Sequence, residues 1–205
     1  MGASGTTPPS VSLEYSVDGG NTWSAFVVGS TTVKLSNVGD SVKIKGVNSV
    51  MGTTNTNYNM FILTGSIEAS GNVTSIIDGV GGEIDVPKYC FKSLFQNQTA
   101  LTKTPYMPFR TVGNRGCGYM YYGCTNLQSI SDLTATTLDL YSYWGILQNC
   151  SLINYVKIYA TTINNLSLHN WLNGVSAVGT LVCDSSLTLE VGASGLPDNW
   201  TRVDL

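Results

Sequence analysis

Six aromatic side chains, Tyr106, Tyr119, Tyr122, Tyr141, Tyr143 and Trp144, are the residues of this 205-residue chain best suited to contact chemistry. They fall at non-ladder or edge positions of a repeat region, and aromatic faces stack on sugar rings and anchor protein interfaces. Lys103 and Lys157 are weaker candidates on the strand-forming side of the same region. Acid–base chemistry has less to work with. Asp132, Asp139, Asp184 and Glu190 are available, but glycoside hydrolysis needs two carboxylates at a set separation. No spacing marks such a pair, so a glycan hydrolase is a remote alternative and no catalytic residue is assigned. The chain has a single histidine, His169, and no CxxC pair, so neither a metal site nor a cofactor is expected.

A repeat must position these side chains. Leu94-Phe95-Gln96-Asn97-Gln98-Thr99-Ala100-Leu101 recurs as Met120-Tyr121-Tyr122-Gly123-Cys124-Thr125-Asn126-Leu127 and again as Ile146-Leu147-Gln148-Asn149-Cys150-Ser151-Leu152-Ile153, each 26 residues after the last. A fixed period with Leu/Ile anchors and a Cys/Asn turn is the signature of a leucine-rich solenoid. Within a repeat, the stretch equivalent to Tyr89–Phe95 reads as a short helix or helical turn, stopped at Asn97, Gly123 or Asn149, residue types that tolerate left-handed φ. Leu101-Thr102-Lys103, Leu127-Gln128-Ser129-Ile130 and Ile153 to Ile158 read as strands. Stacking should then bury Leu94/Met120/Ile146, Phe95/Tyr121/Leu147 and Leu101/Leu127/Ile153 as ladders, because one repeat cannot cover its own apolar face. After Ile158 the period decays, and residues 160–205 read as a C-terminal cap with Trp171 and Trp200 over the last coil.

Charged residues make up only 11% of the chain and the net charge is −3, against roughly 25% charged in ordinary soluble domains. No Lys/Arg cluster exceeds a pair, so the counterion-displacing footprint of a nucleic-acid binder is missing. Apolar runs fall far short of the roughly 20 residues that span a bilayer, so no membrane insertion is expected. The cysteines number five, which rules out a fully paired framework. Burial as small free hydrophobes is the first reading, with a Cys124–Cys150 bridge between adjacent coils as the alternative.

In chain order, residues 1–10 read as a flexible lead stiffened by Pro8-Pro9. Alternating residues then mark short strands near 11–16, 23–28, 32–35, 41–45, 59–64, 66–69 and 73–77, separated by Gly, Asn and Asp turns. They predict a small antiparallel β-sandwich over 11–78. The Gly-rich, Pro-stopped stretch 79–88 reads as a linker, and 89–159 as the repeats. The fold class is therefore mainly β with short helices (α+β), a sandwich followed by a short capped solenoid.

Two resemblances follow from these residues. Ser16-Val17-Asp18-Gly19-Gly20-Asn21-Thr22-Trp23 fits S-x-D-x-G-x-T-W and resembles the Asp-box hairpin of sialidase propellers. Ser16, Asp18, Gly20, Thr22 and Trp23 form this structural motif: the carboxylate accepts turn N–H groups, glycine permits positive φ and Trp23 pins the hairpin. A single copy in so short a chain does not make a propeller. The repeats, with Pro105-x-x-Pro108 and Thr134-Ala135-Thr136-Thr137-Leu138, resemble the leucine-rich repeats of BspA-type surface proteins of Bacteroidales and their phages. The flanks Leu13-Glu14-Tyr15-Ser16 and Gly195-Leu196-Pro197 share that look. Gln98 departs from the pattern, and Asn114-Arg115-Gly116-Cys117 looks like an insert able to deform its turn.

The resemblance implies non-enzymatic attachment or recognition at a surface and supplies no catalytic residue. Met1 to Pro9 lacks the basic and apolar regions of a secretory signal, which favours a phage virion component such as a head fibre, decoration or receptor-binding protein. A bacterial cell-surface adhesin is the alternative. Expected partners are other virion proteins or a host-surface glycan or protein, with a symmetric homo-oligomer such as a trimer in a fibre or decoration role.

Overall fold

Local antiparallel pairing gives way to stacked parallel coils along this chain, as a computed structural model describing residues 1–164 and 166–205 makes plain. In the N-terminal part, β1 (Gly2–Ser4) pairs antiparallel with β5 (Tyr58–Met60), while β2 (Leu13–Ser16) lies between β3 (Ser24–Phe26) and β4 (Lys43–Gly46) in an antiparallel sheet. Leu13 and Phe26 face each other in that register and are both buried. The first ten residues, read as a flexible lead, thus supply a paired strand. Thr32–Leu35 forms no strand, and the stretch read as a strand at 73–77 enters α1 (Ser75–Asp78), the one helix among the described residues. Gly79, at φ 79°, ends it by donating its N–H to Ser75 O.

The remaining strands stack in parallel as about five turns of a mainly β, solenoid-like structure. β6 (Ile67–Glu68) pairs with β8 (Leu101–Lys103). One sheet runs β7 (Ile84–Val86), β9 (Phe109–Val112), β10 (Thr137–Leu138), β12 (Thr162–Ile163), so Val86, Val112 and Leu138 line up inward while Asp85, Thr111, Thr137 and Thr162 line up outward. A second sheet joins β11 (Tyr155–Lys157), β13 (Gly179–Cys183) and β14 (Trp200–Asp204). Residues 79–88 are therefore no simple linker, since β7 begins the first sheet. Residues 51–73 likewise run beside the first coil, with Phe61 N–H donating to Leu94 O and Ala69 N–H to Lys103 O. One apolar core extends from Leu13 to Trp200.

Between the two sheets each coil carries a turn segment, and here the helical expectation fails. The N–H groups of residues 89, 91, 93, 95 and 97 donate across to carbonyls of the next coil at 2.7–3.2 Å, while those of 92, 94, 96 and 98 close turns on the residue three back. Residues 115 to 123 repeat the arrangement onto the third coil. Positive φ recurs every fourth residue at Tyr89, Ser93 and Asn97, at Arg115, Tyr119 and Gly123, and at Tyr141, Gly145 and Asn149. A left-handed residue at that interval stops helix propagation and turns alternate N–H groups toward the neighbouring coil. The segment is a third, non-helical wall.

This wall also corrects the reading of the C-terminus. Tyr143, Gly145, Leu147 and Asn149 donate to Ser167, His169, Trp171 and Asn173, and Asn170 and Gly174 take positive φ. The period has shortened by one residue rather than decayed, and 160–205 contains a complete further coil. Trp171 is fully buried inside it, its indole N–H on Gly195 O at 2.9 Å, and Trp200 donates to Ser176 O at 2.8 Å. Asn114–Cys117 sits in register and deforms nothing. All five cysteines are buried free thiols; Cys124 and Cys150 each donate to a carbonyl of the preceding coil at 3.0 Å, and desolvation pushes the Cys124 thiol up to about 12.

Candidate functional site

The outward side chains of the turn wall form one contiguous band. Because the coils repeat every 25 or 26 residues, positions on this wall stack directly over one another. Tyr119 of the second coil meets Trp144 of the third with ring centroids 4.9 Å apart, and Trp144 meets His169 of the fourth at 5.9 Å. Tyr122 stands edge-on to Tyr119 at 5.5 Å, and Tyr141 flanks Trp144 at 5.1 Å. All five are partly exposed. Of the aromatics expected to bind, the structure thus gathers Tyr119, Tyr122, Tyr141 and Trp144.

The other two lie elsewhere. Tyr143 is fully buried, a correction to its expected exposure: it occupies the inward position shared by Phe91 and Cys117, one residue out of phase with Trp144. Tyr106 is 46% exposed but bridges to Asn72, apart from the band. Lys157 pairs with Asp132 at 3.8 Å, and Asp184 is occupied with Ser186.

Two cations complete the band, and residue type alone marks neither as a site residue. Lys92 lies over the ring of Tyr58 at 4.7 Å and over Tyr119 at 5.3 Å; Arg115 lies over Tyr141 at 4.5 Å and Trp144 at 5.5 Å. Such placements exploit the negative face of the ring. The repeat held a usable signal, because Lys92 sits 52 residues before Trp144 and His169 sits 25 after it. Lys92 is only 5% exposed and its ammonium donates to Ser93 Oγ at 3.0 Å. Burial, with the Arg115 charge adding to it, brings its pKa down to about 8. Arg115 Nε is buried without a hydrogen-bond partner. Among the described residues the ion pairs are Lys45–Glu14, Arg110–Asp85, Lys157–Asp132 and Arg202–Asp204, and none involves Lys92 or Arg115.

The lowered Lys92 value gives a direct expectation. A side-chain NMR titration should show Lys92 deprotonating near 8, with Arg115→Gln moving the midpoint upward by removing a like charge. Because the folded pKa lies below the unfolded one, the buried charge costs stability below about 8, and that cost is relieved as pH rises from there toward the unfolded pKa. A midpoint at the ordinary lysine value would mean that Lys92 is not held between the rings.

Backbone strain is concentrated in the same wall. Tyr119 at φ 57° and Tyr141 at φ 58° occupy a region that bulky residues rarely adopt, at about 1–3 kcal/mol each. Gly145 fills the position equivalent to Tyr119 one coil on, at φ 55°, and a Cβ there would stand 2.7 Å from Tyr119 Cε1. Gly145→Ala is therefore expected to cost about 2 kcal/mol and to displace the Tyr119 ring; an unchanged denaturant midpoint would contradict the close approach.

The Asp-box residues converge on one another instead of on a cleft. Asp18 accepts from the Thr22 hydroxyl at 2.6 Å, the Thr22 N–H at 3.0 Å and the Ser16 hydroxyl at 2.7 Å. The Thr22 hydroxyl, its N–H and Ser16 together hold the Asp18 carboxyl far below the usual range. Gly20 N–H donates to Ser16 Oγ, Trp23 donates to Gly20 O, and Lys45 lies 4.0 Å over the Trp23 ring. Its role is to close a hairpin. No helix among the described residues is long and apolar enough to cross a membrane. Compared with known protein families, curated proteins and solved structures, the chain matches none.

Proposed function

We propose that this chain is a non-enzymatic recognition module that contacts its target through the aromatic and cationic wall of its coils. One observation carries the reading: Tyr58, Lys92, Tyr119, Trp144 and His169 form an unbroken band over successive coils, with Tyr119 held in it at φ 57°. Partly exposed rigid aromatics beside arginine are the composition of an interface hot spot.

The setting belongs to the same proposal. The coils are leucine-rich repeats of the BspA-type kind, preceded by a small sandwich, and the module sits on a phage particle as a head fibre, decoration or receptor-binding component. The repeat octets and the flanking residues that resemble such proteins support this. Immunogold labelling of an induced native culture with antibody to the chain tests it. Gold on particles is expected, its position separating head decoration from tail receptor binding. Gold on intact cells with none on particles would instead make this a bacterial adhesin.

A further inference from the structure

We infer that the Lys92–Arg115 corner of the wall is a subsite for the anionic group of an acidic glycan, a sugar carboxylate held against the rings of Tyr119 and Trp144. The inference rests on the recognition reading above and adds the ligand class. Charge distribution is the first argument. The chain as a whole carries 13 acidic and 10 basic residues, yet in the turn segments 87–98, 113–124 and 139–150 the cations Lys88, Lys92 and Arg115 face a single acid, Asp139. The anionic chain has made its turn wall its positive face.

Donor capacity is the second argument. An ammonium offers three donors and a guanidinium five. Lys92, 95% buried by the complement of its 5% exposure, makes one bond, to Ser93 Oγ. Arg115 donates from Nη1 to Asn114 Oδ1 at 3.1 Å and leaves Nε buried and unpartnered. Unpartnered buried donors are costly, and a planar guanidinium with free N–H groups fits a carboxylate by two parallel bonds. Beside it, aromatic faces offer the stacking surface that a sugar ring takes and a bare inorganic anion does not use. An acidic peptide would satisfy the charges as well. The row Tyr119–Trp144–His169, at 4.9 and 5.9 Å spacings from coil to coil, favours successive sugar rings.

The test sets the intact chain against immobilised polygalacturonate, its methyl ester, a sulfated dextran, neutral dextran and an acidic peptide. The ester removes the charge without altering the protein. Polygalacturonate is expected to retain the chain at least about tenfold more strongly than its ester, the size of one lost charge-assisted bond. Arg115→Gln should abolish that preference at an unchanged thermal midpoint, and Arg115→Lys should restore only part of it. Retention should also fall as pH rises through about 8, where Lys92, facing Tyr58, Ser93, Tyr119 and Arg115, loses its proton. Sulfated dextran retained in place of polygalacturonate would assign the anion as sulfate and overturn the carboxylate. Equal retention of acid and ester, preference for the peptide, or retention of nothing would overturn the inference. None of those results would move gold from particles, so the recognition reading stands or falls separately.

Discussion

Leu127→Ala is expected to lower the free energy of unfolding by about 3–4 kcal/mol, the cost of removing a fully buried leucine and leaving its cavity. For a chain of this size that corresponds to a drop of roughly 6–12 °C in Tm. Leu127 has no exposed surface and stands in the ladder between Leu101 and Ile153, both equally buried. Truncation therefore uncovers the apolar face of a neighbour on each side, and stacked repeats depend on those shared faces. The aromatic column Phe61–Phe95–Tyr121, with centroids 4.9 and 5.5 Å apart, ties the N-terminal part to the same stack. Leu152→Ala is the matched control. Leu152 lies in the same repeat octet as Ile153 but is 48% exposed, so its loss should stay within about 0.5 kcal/mol. Equal effects of the two would mean that the coils do not share a core at this position.

Replacing Tyr122 and Trp144 together with alanine is expected to weaken adsorption to the particle or cell marked by gold labelling by roughly 1000-fold. Two aromatic anchors worth about 2 kcal/mol each supply that factor. The fold should persist, because both residues lie on the outer side of the wall and their inward neighbours Tyr121 and Tyr143 remain in place. A shift of about 3 °C or less in the thermal transition is expected. Adsorption is read with labelled chain against a wild-type reference. Loss of stability on the scale of Leu127→Ala would make the pair core residues, and retained adsorption would move the contact surface elsewhere.

Much of the solenoid was legible in the sequence because its three octets share one spacing and one apolar pattern. The nine ladder residues named from them are all buried. Asn97, Gly123 and Asn149 take φ of 58°, 71° and 64°, the conformation their residue types tolerate. What misled was the shape of the turn wall. Runs such as Tyr89-Cys90-Phe91-Lys92-Ser93-Leu94-Phe95 carry the 3–4 spacing of an amphipathic helix, and nothing local announces that alternate N–H groups bond across to another coil. That wrong period also misplaced Tyr143, since a four-residue wall repeat turns position 143 inward and 144 outward. His169 to Leu172 mark where a fourth turn begins, but a one-residue deletion and the replacement of the Asn149-Cys150 turn with Gly174-Val175 obscured the rest of that coil. β1 and β7 escaped because their partners lie more than twenty residues away in sequence. Of the site, the aromatic half was visible by residue type. The cationic half required knowing that Lys92 and Arg115 stack over rings contributed by other segments.

Hydroxyl-radical oxidation of the free chain and of the chain bound to its particle or cell is the most direct measurement of whether the turn wall is the recognition face. Tyr119, Tyr122 and Trp144 report on the band, Tyr106, Tyr155 and Trp23 on surfaces away from it, and Tyr143 on the core, within one experiment. Trp144, Tyr122 and Tyr119 should become protected on binding, while Tyr106, Tyr155 and Trp23 oxidise as in the free chain and buried Tyr143 stays unreactive in both. Protection of Trp23 or Tyr106 with Trp144 still fully reactive would contradict the assignment and place the contact on the Asp-box hairpin or beside the Asn72–Tyr106 bridge.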